Sequence, residues 1–312
     1  MGPNSSLSFR QIRGVYFLAY EAGMASWVPA VASMFPSDQP YEEYKWLESA
    51  PQMVEWQGER KRVQLRDFGV RCVNKKYSST IEFDVDDLER DKTGQAQRRI
   101  AELGTKAAEL PERLLTTLVE AGATTLGYDG ANFFADAHLH GGAVDNLRTF
   151  DAADTENPTS AEMSAAILQA IGAMSGYTDE RGDPINQNAK QFAVIVPAKY
   201  SGAAFSAVRD QFLAAGVSNA LKSSDWGVTV YVNARLRQTN DAPGRRFYIH
   251  RTDAAIRSLI WQEQNVGNRA LQVHGGEDTD LGFWKDGMAV GPKRIGGAAL
   301  GRFELACQVT LV

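Results

Sequence analysis

Two histidines in Asp136-Ala137-His138-Leu139-His140 are the residues of this chain best placed by spacing to do chemistry. An extended backbone puts both imidazoles on one face, where they could hold a divalent metal. Such a metal would activate water for hydrolysis, with His250, His274 and Asp278 or Asp280 as further ligands. The acidic run Asp84, Asp86, Asp87, Glu89, Asp91 offers the oxygen donors calcium takes, but its spacing is wrong. Position 5 is Leu88, position 6 is Glu89 where Gly is needed, and position 12 is Gln95. Lys293 and Arg294 lie in a Gly-rich stretch, Gly291–Gly301, that matches neither the phosphate-loop nor the dinucleotide spacing and reads as a turn between strands. No Ser occupies a G-x-S-x-G elbow, and neither Cys72 nor Cys307 has a nearby His to make a dyad. The two cysteines match no metal spacing and read as free thiols of a reducing compartment.

The elements needed to position a His-x-His site argue against it. In metal-dependent hydrolases of the amidohydrolase type the motif lies on the first strand of an eight-stranded barrel. Here 137 residues precede His138, and too few βα units follow to build that barrel. The hydrolase using His138 and His140 is therefore the second reading. The plainer one is two polar residues closing a turn before Gly141-Gly142.

The totals are those of an ordinary soluble globular protein. In 312 residues, 44% are hydrophobic and 23% charged, and the net charge of −5 gives no general attraction to nucleic acid or anionic membranes. No apolar run has the length of a membrane span. The first residues lack the apolar core and cleavage site of a signal peptide, so synthesis and assembly in the cytoplasm are expected.

In chain order, residues 1–55 read as an arm with short helical pieces, interrupted by Pro29 and Pro36 and anchored by aromatics such as Trp46 and Trp56. Residues 56–90 read as two long strands folded back on each other. A phase slip near Asp67 suggests a bulge, and Asn74-Lys75 the turn. A dozen residues per strand gives a hairpin on the order of 40 Å long. One face carries Arg62, Arg66, Arg71, Lys75 and Lys76 opposite Glu82 and Asp84, a pattern that suits either a solvated edge hairpin protected by its charge or an arm that pairs with a neighbour. A helix follows, about 94–121, with Asp91 or Thr93 as cap and Ile100, Leu103, Ala107, Leu110, Leu114 and Leu118 as its apolar stripe. Pro111 predicts a kink or restart, and Gly122 a stop. Thr159 and Glu162 form a capping box for a helix to Ser175. Strands are expected at Phe192–Pro197, in GVTVYVNARL, in RRFYIHR, and around Ala289–Ile295 and Phe303–Val312, with a helix from Gly202 to Ala215. The mixture is α+β without regular βα alternation.

The segments YKWLESAPQMVEWQGER, VNKKYSSTIEFDVDDLERDKTG, LPERLLTTLVEAG and YDGANFFADAH, in this order and spacing, resemble the major head subunits of Mu-like tailed phages, the gpT-like family. FAVIVPAKYSGAAF, SLIWQEQ and GFW fit more loosely. Ser78 stands where that family often has Glu, Val85 where it often has Arg, and the C-terminal block is longer and richer in Gly.

The resemblance implies a Hong Kong 97-type phage capsid fold. Its parts would be an N-terminal arm (1–55), an extended-loop hairpin (56–90), a peripheral domain with a long spine helix (91–154 and 250–285) and an axial domain (155–249 and 286–312). It implies a protein without cofactor or catalytic residue that assembles with itself into an icosahedral shell around double-stranded DNA, as part of the virion. Portal and scaffolding or protease proteins would be its partners during assembly, with room for a decoration protein on the shell.

Overall fold

A computed structural model of the chain describes residues 9–23, 27–45, 53, 55, 56, 58, 69–86, 93–138, 142–179, 182–213, 216–275 and 279–312. Two sheets organise these residues. The first has helix α1 (Phe9–Ala22) and helix α3 (Gln95–Ala108) packed against it. Its strands are β1 (Ala32–Pro36), β4 (Lys75–Ser78), β5 (Ile81–Asp84), β10 (Leu259–Glu263), β11 (Leu271–Gly275) and β12 (Gly287–Leu300). The second holds β6 (Leu147–Phe150), β7 (Gln191–Val196), β8 (Gly227–Val232), β9 (Arg246–Arg251) and β13 (Ala306–Leu311), in the order β6-β13-β9-β7-β8. Helices α5 (Ser160–Ser175) and α6 (Ser201–Arg209) contribute Met163, Ile167, Ile171 and Ala204 to the core that this sheet shares with α2 (Val28–Val31) and α4 (Leu110–Glu120). Two further short helices are α7 (Ala220–Ser223) and α8 (Asp280–Lys285).

Strand β12 is the organising element of the first sheet. Its first half lies between β5 and β11, its second half between β4 and β10. This corrects the expectation of a turn at Gly291–Gly301. Met288, Val290, Pro292, Arg294 and Gly296 alternate inward as a strand requires. The glycines serve packing. A Cβ on Gly297 would lie 2.4 Å from the carbonyl oxygen of Val73, so only Gly lets β12 approach the neighbouring segment. Residues 287–300 thus lie in the sheet beside α3, and β9 and β6 lie in the second sheet.

Three further expectations are corrected. The anchoring surface for residues 9–44 is this chain itself, not a neighbouring one: Ile12, Tyr16, Trp27, Val28 and Val31 are all buried in its cores, and β1 pairs in parallel with β10. Residues 70–85 do not fold back on one another. Strand β3 (Val70–Val73) pairs with β2 (Tyr41–Tyr44), and β4 and β5 pair with β12. The N-cap of α3 is Gly94, with φ +70°, rather than Thr93, and Asp91 lies outside the described residues. The bulge expected near Asp67 also lies outside them. The long helix restarts as Pro111 predicts: α3 ends at Ala108 and α4 begins at Leu110, with Pro111 in its first turn, where its missing N–H costs least.

Candidate inter-subunit surface

Strands β2 and β3 form a two-stranded ribbon whose last pair is Tyr44 with Val70. The chain between them, residues 45–69, is therefore an excursion with both ends held at one place. A buried glutamine holds that base. Gln262 accepts from the Tyr44 hydroxyl at 2.9 Å and donates to the Cys72 carbonyl at 3.0 Å and to Asn74 Oδ1 at 2.9 Å. Asn74 Nδ2 in turn donates to Ser37 Oγ and to the Gln39 carbonyl, both at 2.7 Å. Asn74 is thus at the root of the excursion, not at the turn of a hairpin. Burial pushes both the Tyr44 phenol and the Cys72 thiol up to about 12, which keeps both neutral here.

The predicted contact residues fall along this ribbon and the adjoining sheet edge. Arg62, Arg66 and Trp46 lie outside the described residues. Trp56 is exposed and donates from Nε1 to the Gly58 carbonyl at 3.1 Å. Arg71 is exposed on β3, with its guanidinium 3.7 Å from the Tyr41 ring centroid. Lys75 and Lys76 are exposed on β4 beside Gly296 and Ile295. Glu82 and Asp84 are exposed on β5 beside Ala289 and Gly287. Acids and bases thus line successive stretches of β12 instead of facing each other across a hairpin.

The YDGANFF…H block builds a buried polar knot. His138 Nδ1 is 2.9 Å from Asp129 Oδ2, and Nε2 is 3.2 Å from Asn146 Oδ1. The ring stacks on Phe303 with centroids 3.7 Å apart. Asn146 is oriented by donating to the Phe133 and Phe303 carbonyls and accepting from the Ala135 amide. Both imidazole nitrogens are therefore already engaged by protein partners at hydrogen-bond distance. His140 and Asp278 lie outside the described residues, and His250 is buried against Ser258. The described residues do not assemble the hydrolase site.

Sequence reasoning missed the ion pairs that join the layers. Arg294 grips Glu263 with Nε on Oε1 at 2.7 Å and Nη2 on Oε2, and donates from Nη1 to the Ala107 carbonyl at 2.6 Å. Its guanidinium also lies 5.3 Å from the Tyr20 ring and 5.6 Å from the Trp261 ring. Glu109, at the joint between α3 and α4, is held by Lys106 at 3.3 Å and by Arg235. The period-two burial of β12 was the signal that could have turned Arg294 inward.

An N-terminal region built into the body, an excursion rooted beside it, a two-part helix crossing one sheet, and a second mixed sheet define the Hong Kong 97-type capsid fold. Solved structures share it at low identity. The bacteriophage JBD30 procapsid matches with TM-score 0.53 and 19% identity over 96% of this chain and 74% of that one. The JBD30 capsid decorated with minor capsid protein trimers matches with TM-score 0.54 and 22% identity over 70% and 93%. The capsid of cyanophage P-SCSP1u matches with TM-score 0.58 and 10% identity over 90% and 86%. Within that class, residues 8–163, half of the chain, match the family described as the Mu-like prophage major head subunit gpT, and the chain belongs to that family. The Mu-like prophage FluMu major head subunit of Haemophilus influenzae (strain Rd) is 34% identical over 115 residues, 37% of each chain. The match thus spans well under half of that relative's length.

Proposed function

We propose that this chain is the shell-building subunit of a phage head. Copies arranged as pentamers and hexamers close an icosahedral shell around double-stranded DNA, and the chain is a virion component assembled in the host cytoplasm. The observation that carries this is a capsid fold matched over 96% of the chain, together with its family. Exposed groups sit where such an assembly needs contacts. Phe212 and Val217 stand out on the turn that closes at the Phe212–Ser218 bridge, which fits an axial tip meeting its copies around a symmetry axis. Arg71, Lys75, Lys76, Glu82 and Asp84, with Arg62 and Arg66 of the excursion, fit contacts to the next subunit. Each contact is weak alone, and ring closure adds them. A net charge of −5 suits a container that must release its DNA.

Portal and scaffolding or protease proteins are the partners this reading requires, and it leaves room for a decoration protein. Electron microscopy of purified protein, alone and with those partners, should show rings or shells. A strictly monomeric protein at high concentration in both samples overturns the reading.

A further inference from the structure

Two polar side chains are sealed side by side in the second sheet. In the register of β13 on β9, Ala306 faces His250 and Gln308 faces Tyr248, so His250 and Gln308 are diagonal neighbours on one face. Both are fully buried. That face looks toward Phe134, whose ring is 5.6 Å from that of Tyr248. It also looks toward the end of α2, where Ser258 Oγ donates to the Val31 carbonyl at 3.4 Å.

Three hydrogen-bonding atoms of this pair have no partner among the described residues: His250 Nε2, Gln308 Oε1 and Gln308 Nε2. A fold rarely leaves such atoms unpaired, because nothing repays their removal from water. The other ring nitrogen is occupied, with Nδ1 2.7 Å from Ser258 Oγ. A hydroxyl has one hydrogen. With that hydrogen given to Val31, Ser258 accepts from Nδ1–H, and Nε2 is left with a lone pair that needs a donor.

The residues beside His250 on both neighbouring strands are alanines, Ala306 on β13 and Ala193 on β7. Their methyl groups leave the flanks of the imidazole clear where larger side chains would close on it. We propose that the pair is a built hydration site, in which internal water donates to His250 Nε2 and bonds the Gln308 carboxamide. Water, His250, Ser258 and the Val31 carbonyl then form one hydrogen-bonded line from β13 to α2. The chemistry suits water rather than an ion. Burial pushes the His250 pKa down to about 3, so the ring is neutral, and a carboxamide carries no charge. Small size, enclosure and two to four polar partners are what internal water takes.

A crystal structure of the wild-type subunit, fine enough to show ordered water, tests the site directly. Density within hydrogen-bond distance of both His250 Nε2 and the Gln308 carboxamide is the expected result. A carboxamide turned to bond the ring directly, or no density between the two, overturns the proposal. The sign of one substitution gives a second test. Gln308→Leu keeps the bulk and removes the carboxamide. With water in place, the change strands it beside His250, and the melting temperature should fall by about 2–4 °C. In a dry pair the same change deletes two unpaired polar atoms at no loss of a partner. An unchanged or higher melting temperature therefore overturns the proposal. The wild-type density decides the matter even if Gln308→Leu does not fold.

Discussion

The guanidinium of Arg294 donates to the carbonyl of Ala107 at 2.6 Å. In an unbroken helix that carbonyl would accept from the amide four residues on, and residue 111 is a proline with no amide hydrogen to give. An arginine from a strand nearly two hundred residues away fills the place of the missing helical donor. The proline and the arginine are thus two halves of one joint, which fixes α3 and α4 to β12 and, through Glu263, to β10.

Removing the arginine should be costly. Arg294→Ala leaves the Glu263 carboxylate without its main partner and takes the guanidinium donor from the Ala107 carbonyl, a loss of about 3 kcal/mol for breaking a largely buried pair. Adding Pro111→Ala to that variant restores a backbone donor to Ala107 and should return roughly 1 kcal/mol. Urea unfolding of the unassembled subunit measures both. An additive double variant would show that the proline and the arginine do not share the carbonyl.

His250 makes stability depend on pH. Its ring is fully buried with Nδ1 2.7 Å from Ser258 Oγ, and burial pushes its pKa down from 6.5 to about 3. Between those values the unfolded chain binds a proton that the folded chain refuses. Stability should therefore fall as pH drops below about 6.5, by on the order of 1 kcal/mol per unit. Denaturant melts at pH 7, 6 and 5 should show this slope in wild type and a shallower one in His250→Asn. Equal slopes would mean that His250 takes up its proton while folded.

How far the sequence revealed the fold depended on how local the cause was. The box at Thr159 was legible because both partners lie within one turn: Thr159 Oγ1 accepts from the Glu162 amide at 3.2 Å, and Glu162 Oε2 accepts from the Thr159 amide at 2.8 Å. The Pro111 restart was legible for the same reason. The partners of β4 and β5 were not. Alternation in residues 77–85 shows which face is buried, but nothing local shows that the covering strand begins at Gly287. A Gly-rich strand buried among four others carries little of the β-branched signal by which strands are recognised, so only the stretch around Ala289–Ile295 read as a strand and Gly291–Gly301 read as a turn. At the candidate surface, charge placed Arg71 and Lys75 outside, whereas Gln262 and Glu263 gain their roles only from residues far off in the chain.

The packing of α1 on α3 turns on one glycine. A Cβ on Gly104 would lie 2.5 Å from the Tyr16 carbonyl oxygen and 3.2 Å from the Ala19 Cβ. Gly104→Ala gains helix propensity, about 1 kcal/mol, yet must push α1 away, and should lower stability and speed proteolysis of the first residues. Gly172→Ala is the control. It lies on exposed helical surface with no atom within 4 Å of the added methyl, and should raise stability by about 0.5–1 kcal/mol. Stabilisation of both by thermal melting would show that the α1 contact yields freely.

The base of the excursion can be loosened without touching any exposed residue. Gln262→Leu keeps similar bulk but removes one acceptor and two donor bonds, leaving the Tyr44 hydroxyl, the Cys72 carbonyl and Asn74 Oδ1 without this partner. Each buried polar group so stranded costs about 1–3 kcal/mol. The strain falls on β2 and β3, which among the described residues pair only with each other, so the ribbon should loosen before the two large sheets do. Amide hydrogen exchange should rise in residues 41–44 and 70–73 while β7 and β9 stay protected. Because assembly on the proposed reading needs the excursion aimed from a fixed root, shell yield should fall more steeply than global stability. Faster exchange throughout both sheets would instead place Gln262 in the global core, with no separate role in aiming the excursion.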